Sequence, residues 1–355
     1  MASVLQPQRG LRMRTVRRST ITDVAKLAEV SIKTVSRVVR REPNVSERTR
    51  VAVQAAIDEL NYRPTISARS TTSARSFLLG LVFDNPNPSY SFELLRGAQR
   101  AAKENGYQLV FEPLDRSRAT PAESMTQLIV QGNLEGMIVP PPLCDDPDVL
   151  SAMSKLNRPF ARIAPGREPS LGFCVSMDDR GAAEAMTRHL VDHGHTRIGF
   201  IMGREGTATT QARLHGYKDG LQGAGIAFDE ELTCQGAFTI RSGVECGEHL
   251  LSLDDRPTAI FASNDDMAAG VLMAAHRVGL EVPRDLSVAG FDDAETASAM
   301  WPPLTTIRQP VADMAAAAAE GIIDHQRGNR ENGLDNVQLD YELIVRESTG
   351  PVPEV

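Results

Sequence analysis

Thr20-Ile21-Thr22-Asp23-Val24-Ala25-Lys26-Leu27-Ala28-Glu29-Val30-Ser31-Ile32-Lys33-Thr34-Val35-Ser36-Arg37-Val38-Val39 is the stretch on which the fold turns. Thr20 and Asp23 stand in the [ST]-x-x-[DE] arrangement of a capping box, ahead of the narrow apolar face Val24, Ala25, Leu27 and Ala28. The pattern breaks at Val30-Ser31, and Ser31 is placed to cap a second helix. In that helix Val35, Val38 and Val39 recur at helical spacing and should pack inward, leaving Ile32, Lys33, Ser36 and Arg37 outside. Ser46 begins a third helix, with Val51, Ala55 and Leu60 expected to face the core. Nothing between Thr20 and Asn61 reads as a strand, so three short helices result. An exposed helix start offers free N–H groups to phosphate, and the Lys and Arg beside it are long enough to reach base edges in a major groove.

Charge supports a polyanion partner for this end alone. Residues 1–76 carry a net +9 and the remaining residues a net −17, a division that the overall −8 conceals. Ahead of the helices, residues 1–19 hold five arginines and no acid, but no apolar run of signal-peptide length. They read as a disordered basic arm. No run reaches the ~18 apolar residues of a membrane span.

Beyond the helical module (20–62), residues 63–76 are Ser/Thr/Arg-rich and read as a linker. From residue 77 onward, short apolar runs alternate with amphipathic helices. Strands are expected at 78–83, 108–111, 137–139 and 160–163, and again at 198–202, 259–262 and 287–290, with helices such as 181–191, 242–253 and 267–278 between them. This βαβ rhythm predicts two similar lobes, each a doubly wound parallel sheet: lobe 1 about 77–174 and 308–345, lobe 2 about 175–307. The helix 311–326 and a closing strand at 337–345 would return the chain to lobe 1 and leave a hinged cleft.

The run Thr22-Asp23-Val24-Ala25, Val30-Ser31, Thr34-Val35-Ser36-Arg37-Val38 and then Asn61-Tyr62-Arg63-Pro64 resembles the LacI/GalR family of bacterial repressors. The resemblance implies a helix-turn-helix headpiece in which Ile32, Lys33 and Arg37 contact bases, with Asn44 near the groove. Ser31, Thr34, Ser36, Ser46, Thr49 and Tyr62 would hold phosphates. It also implies a hinge that enters the minor groove at Ala68-Arg69, followed by a leucine wedge. This chain has Thr71 at the wedge position, which implies weaker kinking.

The resemblance continues through Gly194-His195-Thr196-Arg197-Ile198, Asn264-Asp265-Asp266-Met267-Ala268, Gly290-Phe291-Asp292-Asp293 and Pro303-Leu304-Thr305-Thr306-Ile307. It implies a core like that of periplasmic sugar-binding proteins, holding an effector between its lobes. Asp84, Asn264 and Asp292 fall at the carboxyl ends of strands, where open α/β sheets bind ligands, and their groups suit vicinal hydroxyls. Asn264 and Asp292 match family ligand positions and Arg213 a family arginine. Tyr90 and Phe238 match aromatic walls, Thr209 lies on a loop facing the cleft, and Asn85 and Arg162 are further candidates. The family implies a carbohydrate effector, a homodimer, a pseudo-palindromic double-stranded operator and a cytoplasmic, nucleoid-associated site of action. The tail after Glu347 has no leucine heptads, which argues for a dimer.

Other signals carry less. Cys144, Cys174, Cys234 and Cys246 are scattered without C-x-x-C spacing and are expected as buried thiols. His189, His193 and His195 are expected around a helix end and its turn, not on zinc. The adjacent acids Asp178-Asp179, Asp265-Asp266 and Asp292-Asp293 do not make a glycosidase pair, which needs carboxylates facing one another. No cofactor is implied. A solute-binding protein or a sugar-processing enzyme using the same cleft are the competing readings.

Overall fold

Thr20 begins the first helix as a reciprocal cap: its side chain accepts from the Asp23 amide, and the Asp23 carboxylate accepts from the Thr20 amide at 2.8 Å. The computed structural model describes residues 19–39, 45–60, 62, 75–84, 87–167, 170–329 and 336–353, in two units, Met1–Ser76 and Phe77–Val355. The first unit contains α1 (Ile21–Leu27), α2 (Ile32–Val39) and α3 (Glu47–Glu59). Val24, Val35, Val38, Val53 and Ala56 close its core, with Tyr62 packed among them. Helix α3 differs from expectation. Val51 is 61% exposed and Ala55 faces solvent, whereas Val53, Ala56, Ile57 and Leu60 form the inward i, i+3, i+4, i+7 stripe.

The second unit begins with β1 (Leu78–Phe83), α4 (Pro88–Glu104), β2 (Gln108–Pro113), α5 (Pro121–Gln131), β3 (Gly136–Val139), α6 (Pro147–Lys155), β4 (Phe160–Ile163) and β5 (Phe173–Met177). These strands join β11 (Val337–Leu339) in a parallel sheet of order β11-β5-β4-β3-β1-β2. Strand β5 was not foreseen. It surrounds Val175, where the sequence suggested a lobe division, and pairs with β4 and β11.

The chain then forms α7 (Asp179–Asp192), β6 (Ile198–Met202), α8 (Ala208–Gly223), β7 (Thr233–Gln235), α9 (Ile240–Leu251), β8 (Ala259–Ala262), α10 (Asp265–Arg277) and β9 (Ser287–Ala289). A second parallel sheet results, in the order β7-β6-β8-β9. Near-continuous burial along β3, β4, β8 and β9 is what helices on both faces require.

The return path is split. The segment expected as one closing strand is two: β11 completes the first sheet, while β12 (Glu342–Ile344) pairs antiparallel with β10 (Thr306–Arg308). Between β10 and β11, α11 (Val311–Arg327) packs back against α4 and the first sheet. Its Ala315, Ala318 and Ala319 are fully buried, and a Cβ on Gly97 of α4 would stand 1.8 Å from the Ala312 carbonyl oxygen. Small residues on both helices let their backbones meet.

The cysteine expectation needs one correction. Cys234 on β7 is disulfide-bonded to Cys246 on α9, while Cys144 and Cys174 are free and buried. Spacing gave no hint because the strand-to-helix turn, not the sequence, brings the two Cα atoms to 5.7 Å.

Candidate functional site

In the headpiece, two Ser-x-x-Thr runs start α2 and α3 in the same way. The Ser31 hydroxyl accepts from the Thr34 amide at 3.1 Å and lies 2.8 Å from the Thr34 hydroxyl; Ser46 and Thr49 repeat this at 3.3 and 2.8 Å. Both serines therefore cap helices while standing exposed. Ile32, Lys33 and Arg37 are exposed together on α2, opposite buried Val35 and Val38, with Ser36 and Thr34 partly exposed. Tyr62 differs: only 6% exposed, its ring belongs to the core, so what was expected as a phosphate contact is placed first as packing. Asn44, Ala68, Arg69, Thr71 and Asn85 lie outside the described residues.

In the larger unit, a cavity of about 50 Å³ lies between the ends of the two sheets. Tyr90, Thr209, Arg213, Phe238, Asn264 and Asp292 all line it. So do Asn87, Arg204, Thr207, Gln309 and the Pro141, Pro142 and Ala164 wall, none of which the sequence reading singled out. Asn87-Pro88 could have been read as a helix start, since Asn caps and Pro suits the first turn, but nothing local announces a second partner for the Asn87 amide. Gln309 sits between β10 and α11, in a crossing that only the tertiary fold reveals.

The polar groups are held in place. The Asp292 carboxylate accepts from Asn87 Nδ2 at 3.2 Å and from Gln309 Nε2 at 2.5 Å. Burial by the cleft walls pushes this carboxyl up to about 7, with Arg213 pulling the other way. Arg213 donates to Asp179 at 2.9 Å and to the Ser263 carbonyl at 2.6 Å, and its guanidinium lies 3.6 Å from the centre of the Phe291 ring. Asn264 caps α10 through the Met267 amide and donates to the Phe238 carbonyl at 3.3 Å. The Phe238 ring rests on Gly203, where a Cβ would come within 2.0 Å of it. Three of the eight non-glycine residues with positive φ among the described residues, Ala164, Phe238 and Asp292, line this one cavity. Such strain persists where surrounding contacts over-determine it, commonly at binding sites.

Two expected ligand residues are placed elsewhere. Arg162 is fully buried and donates to the carbonyls of Cys144, Leu171 and Arg167 and to the Asp145 carboxylate, so its charge is used in holding the loops after β3 and β4. Asp84 lies beside the cavity, paired with Arg116 at 2.5 Å and with Arg204 of the other lobe at 4.0 Å. The histidines are likewise engaged: His189 with Thr349, His193 with the His189 carbonyl, and His195 with Thr258, Ser287 and the Gly350 carbonyl.

Residues 20–65 match the family described as bacterial regulatory proteins, lacI family, and residues 187–349 the periplasmic binding protein-like domain. Over 340 residues the chain is 35% identical to the HTH-type transcriptional regulator DegA of Bacillus subtilis, covering 94% of this chain and 99% of that protein. The chain belongs to the LacI family of bacterial regulatory proteins. Two solved LacI-family structures extend the likeness. The lac repressor dimer bound to operator and the anti-inducer ONPF aligns with a TM-score of 0.77 at 28% identity, covering 94% of this chain and all of that one. The transcriptional regulator CelR in complex with cellobiose aligns at 0.70 and 29% identity, covering 93% and all, respectively. This LacI-family chain is thus a DNA-binding transcriptional regulator in which a helical headpiece accompanies a two-lobed α/β core.

Proposed function

We propose that the protein is a repressor that binds a pseudo-palindromic operator as a homodimer in the cytoplasm, and that a neutral carbohydrate held between the lobes sets its operator affinity. It carries out no catalysis in this reading. The observation that carries the ligand class is the charge balance of the cavity: Arg213 is matched by Asp179, Arg204 faces Asp84, and Asp292 is supported by two amides. With both arginines facing carboxylates and Asp292 held by neutral amides, the cavity does not select for an anionic ligand. Amide and carboxylate groups remain to bond hydroxyls, and Tyr90 and Phe238 offer apolar faces to the C–H side of a sugar ring. The CelR–cellobiose complex and the operator-bound lac repressor dimer support the same reading. Exposed Ile32, Lys33 and Arg37 would read bases, with Ser31, Thr34, Ser36, Ser46 and Thr49 on phosphates.

Coupling requires that the sugar and the operator each favour one arrangement of the lobes, so each must alter the affinity for the other by the same factor. The test is selection of duplexes from a random library by the full-length protein. Anisotropy titration of the selected sequence then follows at fixed salt, with and without a panel of neutral mono- and disaccharides. At least one sugar should shift operator affinity fivefold or more. Anionic metabolites shifting it while every neutral sugar fails would overturn the ligand class, and a library with no enriched sequence would overturn the regulator itself.

A further inference from the structure

Strand β7 is three residues long and lies at the edge of its sheet, where Cys234 stands opposite Ile201 of β6. Helix α9 is held more firmly. A Cβ on its Gly243 would stand 2.2 Å from the Met267 carbonyl oxygen, and one on Gly270 of α10 would stand 2.4 Å from the Ile240 carbonyl oxygen, so the two helices meet backbone to backbone. The Cys234–Cys246 bond joins this short edge strand to the firmly packed helix. Between its ends runs the turn that sets Phe238, at φ +60°, against Gly203 and the ligand cavity. Other ties on that turn are single hydrogen bonds: the Gly236 amide to the Met202 carbonyl at 3.0 Å, the Ala237 amide to the Ser242 hydroxyl at 3.0 Å, and Asn264 to the Phe238 carbonyl.

The two sulfurs differ in access. Cys234 is half-buried on the edge strand, whereas Cys246 is 2% exposed in the apolar core of the second lobe. A small thiolate from solution therefore attacks the Cys234 sulfur, forms a mixed disulfide there and expels Cys246 as a thiolate, which takes up a proton. A second small thiol then displaces Cys234 from the mixed disulfide. The protein has gained two electrons and two protons, and two small thiols leave as one small disulfide. A small disulfide runs the same steps backward and restores the bond. The remaining cysteines, Cys144 and Cys174, are buried and free, so the response has one address.

We infer that this bond is a redox switch on effector binding: oxidised, it fixes the Phe238 wall against the cavity; reduced, it frees the wall and weakens the ligand. The inference rests on the effector-site and cytoplasmic readings above, because in that compartment thiols are kept reduced and the disulfides that form are mostly catalytic or redox-sensing. The physical cause is preorganisation. A side chain in a strained left-handed conformation keeps it only while its surroundings over-determine it, and a wall that must be ordered at the moment of binding lowers affinity.

The experiment uses the full-length protein equilibrated in glutathione buffers that run from reduced to oxidised. Alkylation and mass analysis count the thiols in each buffer. Calorimetry in the two end buffers measures binding of neutral mono- and disaccharides, D-galactose, D-ribose and cellobiose among them. Both redox forms should appear within the series. A sugar that binds should bind the oxidised form about fivefold or more tightly, and returning reduced protein to oxidised buffer should restore that affinity. The double variant Cys234→Ser with Cys246→Ser should bind like reduced wild type in every buffer; should it fail to fold, the reversibility of wild type decides alone. Equal affinity in both forms overturns the switch and leaves the carbohydrate reading standing. A bond that no glutathione buffer opens is a structural staple and overturns the switch too, as does an affinity that reoxidation fails to restore. Should no sugar bind either form, the carbohydrate reading falls and the switch falls with it.

Discussion

The Asn87 amide bonds Asp292 across the ligand cavity, from the start of a first-lobe helix to the loop after the last strand of the second sheet, at 3.2 Å. The same side chain caps α4, its Oδ1 accepting from the Tyr90 amide at 3.0 Å. Cap and cross-lobe bond can be separated by mutation. Asn87→Ser keeps a good cap but is too short to reach Asp292, so stability should change by less than about 1 kcal/mol. The lobes should nevertheless open, seen as a larger radius of gyration by small-angle scattering in the absence of ligand. Asn87→Ala loses the cap as well, and about 1 kcal/mol more. A serine variant as closed as wild type would show that the bond does not hold the lobes.

Asp292 also predicts opposite pH dependences for stability and binding. Its carboxyl, at about 7 in the folded protein, returns to the ordinary range near 4 on unfolding. Between those values the folded state holds a proton that the unfolded state has released. Stability is therefore fullest near pH 4 and falls, by up to a few kcal/mol on an order-of-magnitude basis, as pH rises through about 7. Asp179 and Asp265, both raised by burial, act in the same direction. A sugar that donates hydroxyls to the ionised carboxylate should bind more tightly as pH rises, by up to about tenfold per unit below 7. Calorimetry at pH 6 and 8, with Asp292→Asn as control, checks both: the variant should flatten the two trends together.

For the headpiece, Arg37 and Thr49 divide the work differently. Arg37 stands exposed on α2 beside Lys33, whereas Thr49 completes the exposed cap of α3. Arg37→Ala should cost about 1–3 kcal/mol on the selected operator and less on random duplex, because a base contact is lost. Thr49→Ala should weaken both duplexes alike, as a phosphate contact does. Equal losses for Arg37→Ala would remove it from base reading.

These expectations differ in how locally they are encoded. The capping box at Thr20 and Asp23, the stripe Val35 and Val38, and the apolar runs of the sheets depend on neighbours within a turn or a strand, and they were legible. The register of α3 was not, because Val51 and Val53 are both plausible inward residues until α1 and α2 are in place. In the cavity, Asn264 and Asp292 stand within resemblance-bearing runs and Phe238 matches a family aromatic wall, yet Asn87 and Gln309 bond Asp292 from 205 and 17 residues away. Arg162 and Asp84 misled for the converse reason. Each sits at the end of a strand, but their charges are answered by Asp145 and by Arg116 and Arg204, partners that only folding brings near.

The Cys234–Cys246 disulfide closes a loop that includes the Phe238 wall and the carbonyl to which Asn264 donates. It therefore ties one side of the ligand cavity to both β7 and α9. Opening the bond with dithiothreitol returns two protein thiols and leaves the reagent as a cyclic disulfide, restoring to a loop of about a dozen residues the freedom that cross-linking removes. Amide exchange across residues 235–245 should rise at least threefold on reduction, and equally in Cys246→Ser without reductant, while residues 160–177 of the first lobe exchange as before. Alkylation and mass analysis of the untreated protein should find two modifiable thiols after denaturation, Cys144 and Cys174, and four once it is reduced. Four thiols before reduction would mean that the pair is not bonded in solution, and unchanged exchange after reduction would mean that the strand-to-helix turn holds the Phe238 wall without it.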